Sequence, residues 1–220
     1  MIGFARVKGG AFGMRTVLVG NIKGGCGKTT LATHIAAAFA AQGLVTAIGD
    51  CDRQRSSLNW LRRRPATLPA ITGLDWSKDV GSPPKGLDRL VIDAPAAMHH
   101  KDVEDLIDIS EVVVVPVLPG AFDEDATAHF LERLAKVKAV RKNKRVVAVV
   151  GNRLRPGTKA SDHLDGFFGG LGFPVVARLR DSQVYTAVAA AGSTVIEAND
   201  RRSKSYAAEW APLLALIEGR

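Results

Sequence analysis

Lys23-Gly24-Gly25-Cys26-Gly27-Lys28-Thr29-Thr30 sets two lysines around a glycine-rich turn, between a short apolar run and an alanine-rich stretch. The run ahead of it, Thr16-Val17-Leu18-Val19-Gly20, reads as a buried strand, and residues 31–42 behind it favour a helix. A strand, a glycine turn and a helix in that order make a phosphate site. Glycine takes positive φ and lets the backbone approach an anion, while the helix N-terminus offers free N–H groups and a partial positive charge. Lys28 is placed to reach β- and γ-phosphates, and the Thr29 hydroxyl to reach Mg²⁺. The common spacing G-x-x-x-x-G-K-[ST] nevertheless fails, because its first glycine would fall on Ile22. What distinguishes this loop is the extra lysine, Lys23.

Apolar runs and helix-favouring stretches alternate along the remainder of the chain, with strands expected near residues 16–20, 44–49, 88–93, 111–116, 145–151 and 174–177. Such alternation implies an α/β fold, a mostly parallel sheet with helices on both faces, and with the glycine and lysine loop at its first strand the fold expected is P-loop NTPase-like. Sheets of this kind bind ligands beyond the carboxyl ends of their strands. Two acidic segments fall there: Asp50-Cys51-Asp52-Arg53-Gln54, and Leu90-Val91-Ile92-Asp93-Ala94-Pro95. The 220 residues suit one such unit, over 14–220, preceded by a segment 1–13 expected to be a flexible extension, with Met14 an alternative start.

Taken together these segments resemble the ParA/MinD family of ATPases, whose phosphate loop is a deviant Walker A box with an added lysine. Asp50 to Gln54 is similar to the family's second acidic box, usually Asp-x-Asp-Pro-Gln, with Arg53 in place of proline; Leu90 to Pro95 is similar to its Walker B strand. Val112 to Pro116, Pro119 and Phe122-Asp123 resemble the next strand and loop, so the resemblance spans about residues 15–218.

The resemblance implies Mg²⁺-dependent hydrolysis of ATP with a slow basal rate. It places nucleotide contacts at Lys23, Gly24, Gly25, Cys26, Gly27, Lys28, Thr29 and Thr30, with Asn152 against the base, and metal contacts at Thr29, Asp50 and Asp93. Lys23, Lys28 and Asp52 are the implied catalytic residues, Asp52 aligning the attacking water and Lys23 reaching the nucleotide of the other subunit of an ATP-bound homodimer. The implied partners are nonspecific DNA and a ParB-like or cargo adaptor protein. A cytoplasmic, nucleoid-associated protein is expected.

Charge agrees with a nucleic-acid partner, since 30 Lys and Arg against 22 Asp and Glu leave a formal net charge of +8. Basic candidates are Arg62-Arg63-Arg64, the run 141–145, Arg178 with Arg180, and Arg201, Arg202 and Lys204, the last two groups being favoured. Residues 1–13 lack the apolar core of a secretory signal, and no run reaches the roughly 18 apolar residues of a membrane span. Tyr206, Trp210, Leu213, Leu214 and Ile217 form one helical stripe with few cations, the pattern of a helix docked on a core, and Pro212 should interrupt it or mark a boundary. No stable membrane association is therefore expected. Cys26 and Cys51 read as small semi-buried thiols, and their positions disfavour an Fe–S branch of the superfamily. His99 and His100 are assigned to a loop near the dimer interface, while His34, His129 and His163 carry no ligand spacing. Two alternatives stay open, a MinD-like membrane-surface ATPase regulating division and a metabolic enzyme of amidoligase type.

Overall fold

Runs of Val, Ile and Leu four to six residues long are too short for helices and too apolar for a surface, so they settle as strands buried on both faces. The computed structural model describes residues 3–4, 13–96, 98 and 100–219. In chain order its first half holds β1 (Gly3–Phe4), β2 (Arg15–Val19), α1 (Lys28–Ala41), β3 (Thr46–Asp50), α2 (Ser56–Arg62), β4 (Thr72–Asp75), β5 (Asp79–Val80) and β6 (Arg89–Asp93). There follow α3 (His100–Asp108), β7 (Val112–Val117), α4 (Ala121–Lys136), α5 (Lys138–Arg141), β8 (Val146–Leu154), α6 (Lys159–Gly169), β9 (Val175–Arg180) and α7 (Gln183–Ala190). The last elements are α8 (Arg201–Ala207), a 3₁₀ turn at Ala208–Trp210 and α9 (Ala211–Glu218).

Seven strands form one parallel sheet in the order β4-β3-β6-β2-β7-β8-β9, and β1 pairs with β5 apart from it. Chain connections run one way from β2 to β3 and the other way from β6 to β7, so the order reverses around β2 and opens a crevice at its carboxyl end. All six expected strands are present. The edge strand β4 was not expected, because Thr72-Gly73-Leu74-Asp75 offers no apolar run and lies largely exposed.

Alternate side chains divide the core into two layers. Leu18, Ile92, Val113, Val115 and Val149 face α3, α4 and α6 through Leu106, Phe130 and Leu164; Val17, Val19, Val91, Val114 and Val150 face α1 and the C-terminal helices through Ile35, Phe39 and Trp210. Helices thus cover both faces of the sheet, as the alternation in sequence requires.

The C-terminal stripe docks as expected. Trp210, Leu213 and Ile217 are fully buried, and Tyr206 and Leu214 pack against them. Pro212 sits in the first turn of α9, where its missing N–H would have no helical partner anyway, so it marks a boundary and not a kink. Among the described residues no helix is long and apolar enough to cross a membrane. Of the expected extension, residues 1–2 and 5–12 lie outside the described residues, as do His99 and Arg220.

Candidate functional site

The β2–α1 loop is built to present its backbone to an anion. Gly25 and Gly27 hold φ of 76° and 98°, conformations that glycine takes without strain. Gly27 is required for a second reason: a Cβ there would stand 2.2 Å from Asn152 Nδ2. That amide donates to the Cys26 carbonyl at 2.8 Å, so β8 braces the loop from beneath. Gly27 is also the N-cap of α1 and supplies no side-chain cap, which leaves the first-turn N–H groups free for a ligand.

The loop closes around its own lysine. Lys28 is almost fully buried, and its Nζ donates to the Lys23 carbonyl at 2.9 Å. Asn21, fully buried at the start of the loop, donates through Nδ2 to the Pro116 carbonyl at 2.8 Å and to Thr127 Oγ1 at 2.9 Å, while its Oδ1 accepts the Lys23 N–H at 3.2 Å. Cys26 and Cys51 are both buried and free, and burial pushes each thiol upward, so both stay neutral. They are more deeply enclosed than the semi-buried thiols read from sequence.

Two carboxylates lie side by side below the loop. Asp50 ends β3 and Asp93 ends β6, and the two are register partners, with Val19 of β2 on the other side of Asp93. Asp50 is fully engaged: Oδ2 accepts from the Ser57 N–H at 3.0 Å, the Ser57 hydroxyl at 2.6 Å and the Leu58 N–H at 3.1 Å, and Oδ1 accepts the Asp52 N–H at 3.0 Å. It therefore anchors the N-terminus of α2, a favourable place for an anion. Asp93 has no such set, and its Oδ2 is buried without a partner. Burial, and then the neighbouring Asp50 charge, push its carboxyl up to about 7, against the opposing pull of the Thr29 hydroxyl and Lys28. A buried orphan oxygen beside a hydroxyl and an ammonium fits a hard divalent cation such as Mg²⁺, which takes one or two protein ligands and keeps several waters. Among the described residues no three ligating side chains form a self-sufficient metal cage.

Sequence-read residues distribute unevenly around this centre. Lys23, Cys26, Gly27, Lys28 and Asn152 meet through the contacts above, and Lys28, Thr29 and Asp50 surround Asp93. Asp52 lies on the loop after β3, where its Oδ1 accepts the Gln54 N–H at 2.9 Å, and the neighbouring Arg53 is exposed. The Lys23 ammonium lies 3.9 Å from Asp123 on the first turn of α4, beside Phe122, which is 82% exposed. Asn21 and Thr127 carried no signal in the sequence, since they meet each other across 106 residues of chain; Ser57, seven residues from Asp50, was not singled out, and Asp123 was read only as part of the loop after β7.

A cleft of about 620 Å³ opens from Thr30 and Asn152 and is lined further by Arg153, Arg180, Ser182 and Tyr185. Next to it His34 is wholly buried, stacked on Trp210 with ring centroids 4.7 Å apart. Its Nε2 accepts the Val195 N–H at 3.3 Å, so Nδ1 carries the proton donated to the Thr30 carbonyl at 2.8 Å. Burial pulls this imidazole down to about 4.

The basic segments separate into paired and unpaired groups. Arg178 bonds Asp165 at 2.9 Å, and Arg180 is joined to Glu209 and lies over the Tyr206 ring, so neither is a free cation. Arg64 is buried against Glu197. Arg201, Arg202 and Lys204 are exposed on α8 with no acidic partner among the described residues, Arg202 meeting the Tyr206 hydroxyl, and so are Arg141 at the end of α5 and Lys142 and Lys144 after it.

Residues 17–194 match the CobQ/CobB/MinD/ParA nucleotide binding domain. A maintenance of carboxysome distribution protein A from Halothiobacillus neapolitanus is 26% identical over 193 residues, covering 84% of this chain and 88% of the relative. Protein ParA of Rhizobium radiobacter is 25% identical over 158 residues, covering 68% and 69% respectively. Among solved structures, an ATP complex of Cyanothece McdA carrying a D38A substitution superposes with a TM-score of 0.72 at 12% identity, over 95% of this chain and 98% of that one.

Proposed function

That the chain belongs to the CobQ/CobB/MinD/ParA nucleotide-binding family is the premise from which we propose its function. It is a Mg²⁺-dependent ATPase whose ATP-bound homodimer holds nonspecific DNA, and a ParB-like or cargo adaptor protein stimulates hydrolysis and releases it. The cycle positions a plasmid, a chromosome or another cargo; the similarity to a carboxysome distribution protein adds that cargo class. One observation carries the reading: an uncapped glycine loop folded around Lys28 lies against a buried carboxylate, Asp93, whose Oδ2 has no partner.

The free N–H groups of the loop and the Lys28 ammonium bind the β- and γ-phosphates, and Thr30 faces the α-phosphate. Thr29 and Asp93 would hold Mg²⁺, and Asp50 beside them pins α2. Bound Mg²⁺ neutralises phosphate charge, and most of the rate comes from such neutralisation and positioning. Asp52 orients the attacking water from the loop that Asp50 fixes. Lys23 leaves Asp123 and crosses to the nucleotide of the second subunit, so ATP joins two protomers whose lysines otherwise repel. Arg201, Arg202 and Lys204 are the DNA contacts of this reading, and the acid-paired Arg178 and Arg180 contribute less.

Binding to nonspecific duplex with ATP and with ADP, alongside dimer mass, tests the cycle. ATP-dependent dimers that bind DNA are expected for wild type, are lost in Lys23→Ala and persist in Asp52→Ala. Log affinity should fall with log salt by about 0.9 per phosphate contacted. A flat salt response, or DNA binding indifferent to nucleotide, overturns the proposal.

A further inference from the structure

Arg153 holds a backbone conformation that its side chain disfavours. It stands in β8 with φ at 53°, where most non-glycine residues are strained. Pairing along this edge shows why the chain turns there. Gly151 pairs with Arg178 and Leu154 with Arg180, so two residues of β8, Asn152 and Arg153, oppose the single Leu179 of β9. This is a bulge, a device that re-aims a side chain near functional sites. Asn152 locks it: Oδ1 accepts the Arg153 N–H at 3.0 Å while Nδ2 holds the Cys26 carbonyl at 2.8 Å. One amide thus ties the strained residue to the phosphate loop.

The bulge delivers a cation to the wall of the cleft. Three arginines line that cleft, Arg153, Arg155 and Arg180. Arg155 is bonded to Asp181 at 2.6 Å and Arg180 is joined to Glu209, whereas the exposed Arg153 guanidinium has no acidic partner among the described residues. The same side chain also lines a neighbouring cavity of about 270 Å³ with Leu118, Pro119 and Ser161, so it stands on the partition between the two. Lys23, Lys28 and the α1 N-terminus already serve the phosphate end, and the cleft extends away from them past Thr30 towards Tyr185.

Resting on the ATP reading above, we propose that Arg153 is a base-binding residue whose planar guanidinium lies against the purine of the nucleotide. Stacking requires a flat, weakly hydrated cation, which arginine supplies and lysine does not. The strain at Arg153 is retained because a glycine, which the backbone favours, would leave the base without this contact.

Calorimetric titration of wild type, Arg153→Gly and Arg153→Lys with Mg·ATP and with Mg·tripolyphosphate, which has no base, tests this. Arg153→Gly removes the side chain and the φ strain together, so the free protein is expected to melt no lower than wild type. Its ATP affinity should fall by about tenfold, the scale of a partly desolvated cation–π contact, with tripolyphosphate binding unchanged. Arg153→Lys should weaken ATP to a similar degree. Full ATP affinity in either variant, or an equal loss for tripolyphosphate, overturns the proposal. Wild type that binds neither probe refutes the ATP reading itself, before Arg153 is in question.

Discussion

Asp50 and Asp93 oppose each other as register partners on adjacent parallel strands, one with both oxygens hydrogen-bonded and the other with an oxygen that meets nothing. The asymmetry is topological. β3 continues into α2, whose first N–H groups and Ser57 hydroxyl turn back onto Asp50, whereas β6 continues into Ala94-Pro95, which returns no side-chain donor to Asp93. The unsatisfied partner is the one next to the phosphate loop.

Asp93→Asn is expected to stabilise the metal-free protein at pH 8 and to weaken its Mg²⁺ response. A folded-state value of about 7 lies above the unfolded 3.8, so the strain is absent below pH 4, grows as pH rises between the two values and is complete above the upper one. The gain at pH 8 is on the order of 3 kcal/mol, falling towards zero near pH 4. Denaturant unfolding in EDTA at both pH values measures it, and equal stability of the two proteins at pH 8 contradicts it. With Mg²⁺ and ATP the order should reverse.

His34 gives a slope of opposite sign. Its folded value of about 4 is below the unfolded 6.5, so stability is fully present above pH 6.5 and is lost as pH falls through the interval, because only the unfolded chain takes up the proton. The loss is on the order of 3 kcal/mol. In His34→Gln this component disappears, and the variant's unfolding free energy should change less than wild type's between pH 7 and pH 4.5. A parallel pH profile for the two proteins would count against the assignment.

Arg64 tests whether the arginine run at 62–64 is a surface patch or a clamp. Its guanidinium and Glu197 are 5% and 3% exposed, and it also donates to the Pro69 carbonyl at 2.9 Å. Arg64→Ala leaves Glu197 buried and unpaired, with an expected loss of about 3–5 kcal/mol. The double variant Arg64→Met with Glu197→Leu should recover most of that. Thermal unfolding of both proteins reads it, and an Arg64→Ala variant within 0.5 kcal/mol of wild type, roughly the ordinary surface range, would restore the patch reading.

The sequence by itself determined the phosphate loop, the six principal strands, their burial on both faces and the docking of the C-terminal stripe. These follow from local rules, since glycine spacing, apolar run length and helical periodicity act within a few residues. It also located Asp50 and Asp93, because both end apolar runs. Only the tertiary structure decided which of them keeps an unpartnered oxygen, since that depends on the first N–H groups of α2 and the Ser57 hydroxyl engaging Asp50 Oδ2, and the Asp52 N–H its Oδ1, while Asp93 Oδ2 is left with none. The same holds for the basic residues: Arg178 and Arg180 look like Arg201 and Arg202 in sequence, and Asp165 and Glu209, brought alongside by folding, neutralise the first pair alone. The edge strand β4 escaped a periodicity reading because an edge needs no apolar run, only backbone hydrogen bonds to β3. Asn152 was legible as a strand-end polar residue, but its contact with Cys26 joins residues 126 apart in the chain, and such a contact is set by the order of the strands and not by any pattern along them.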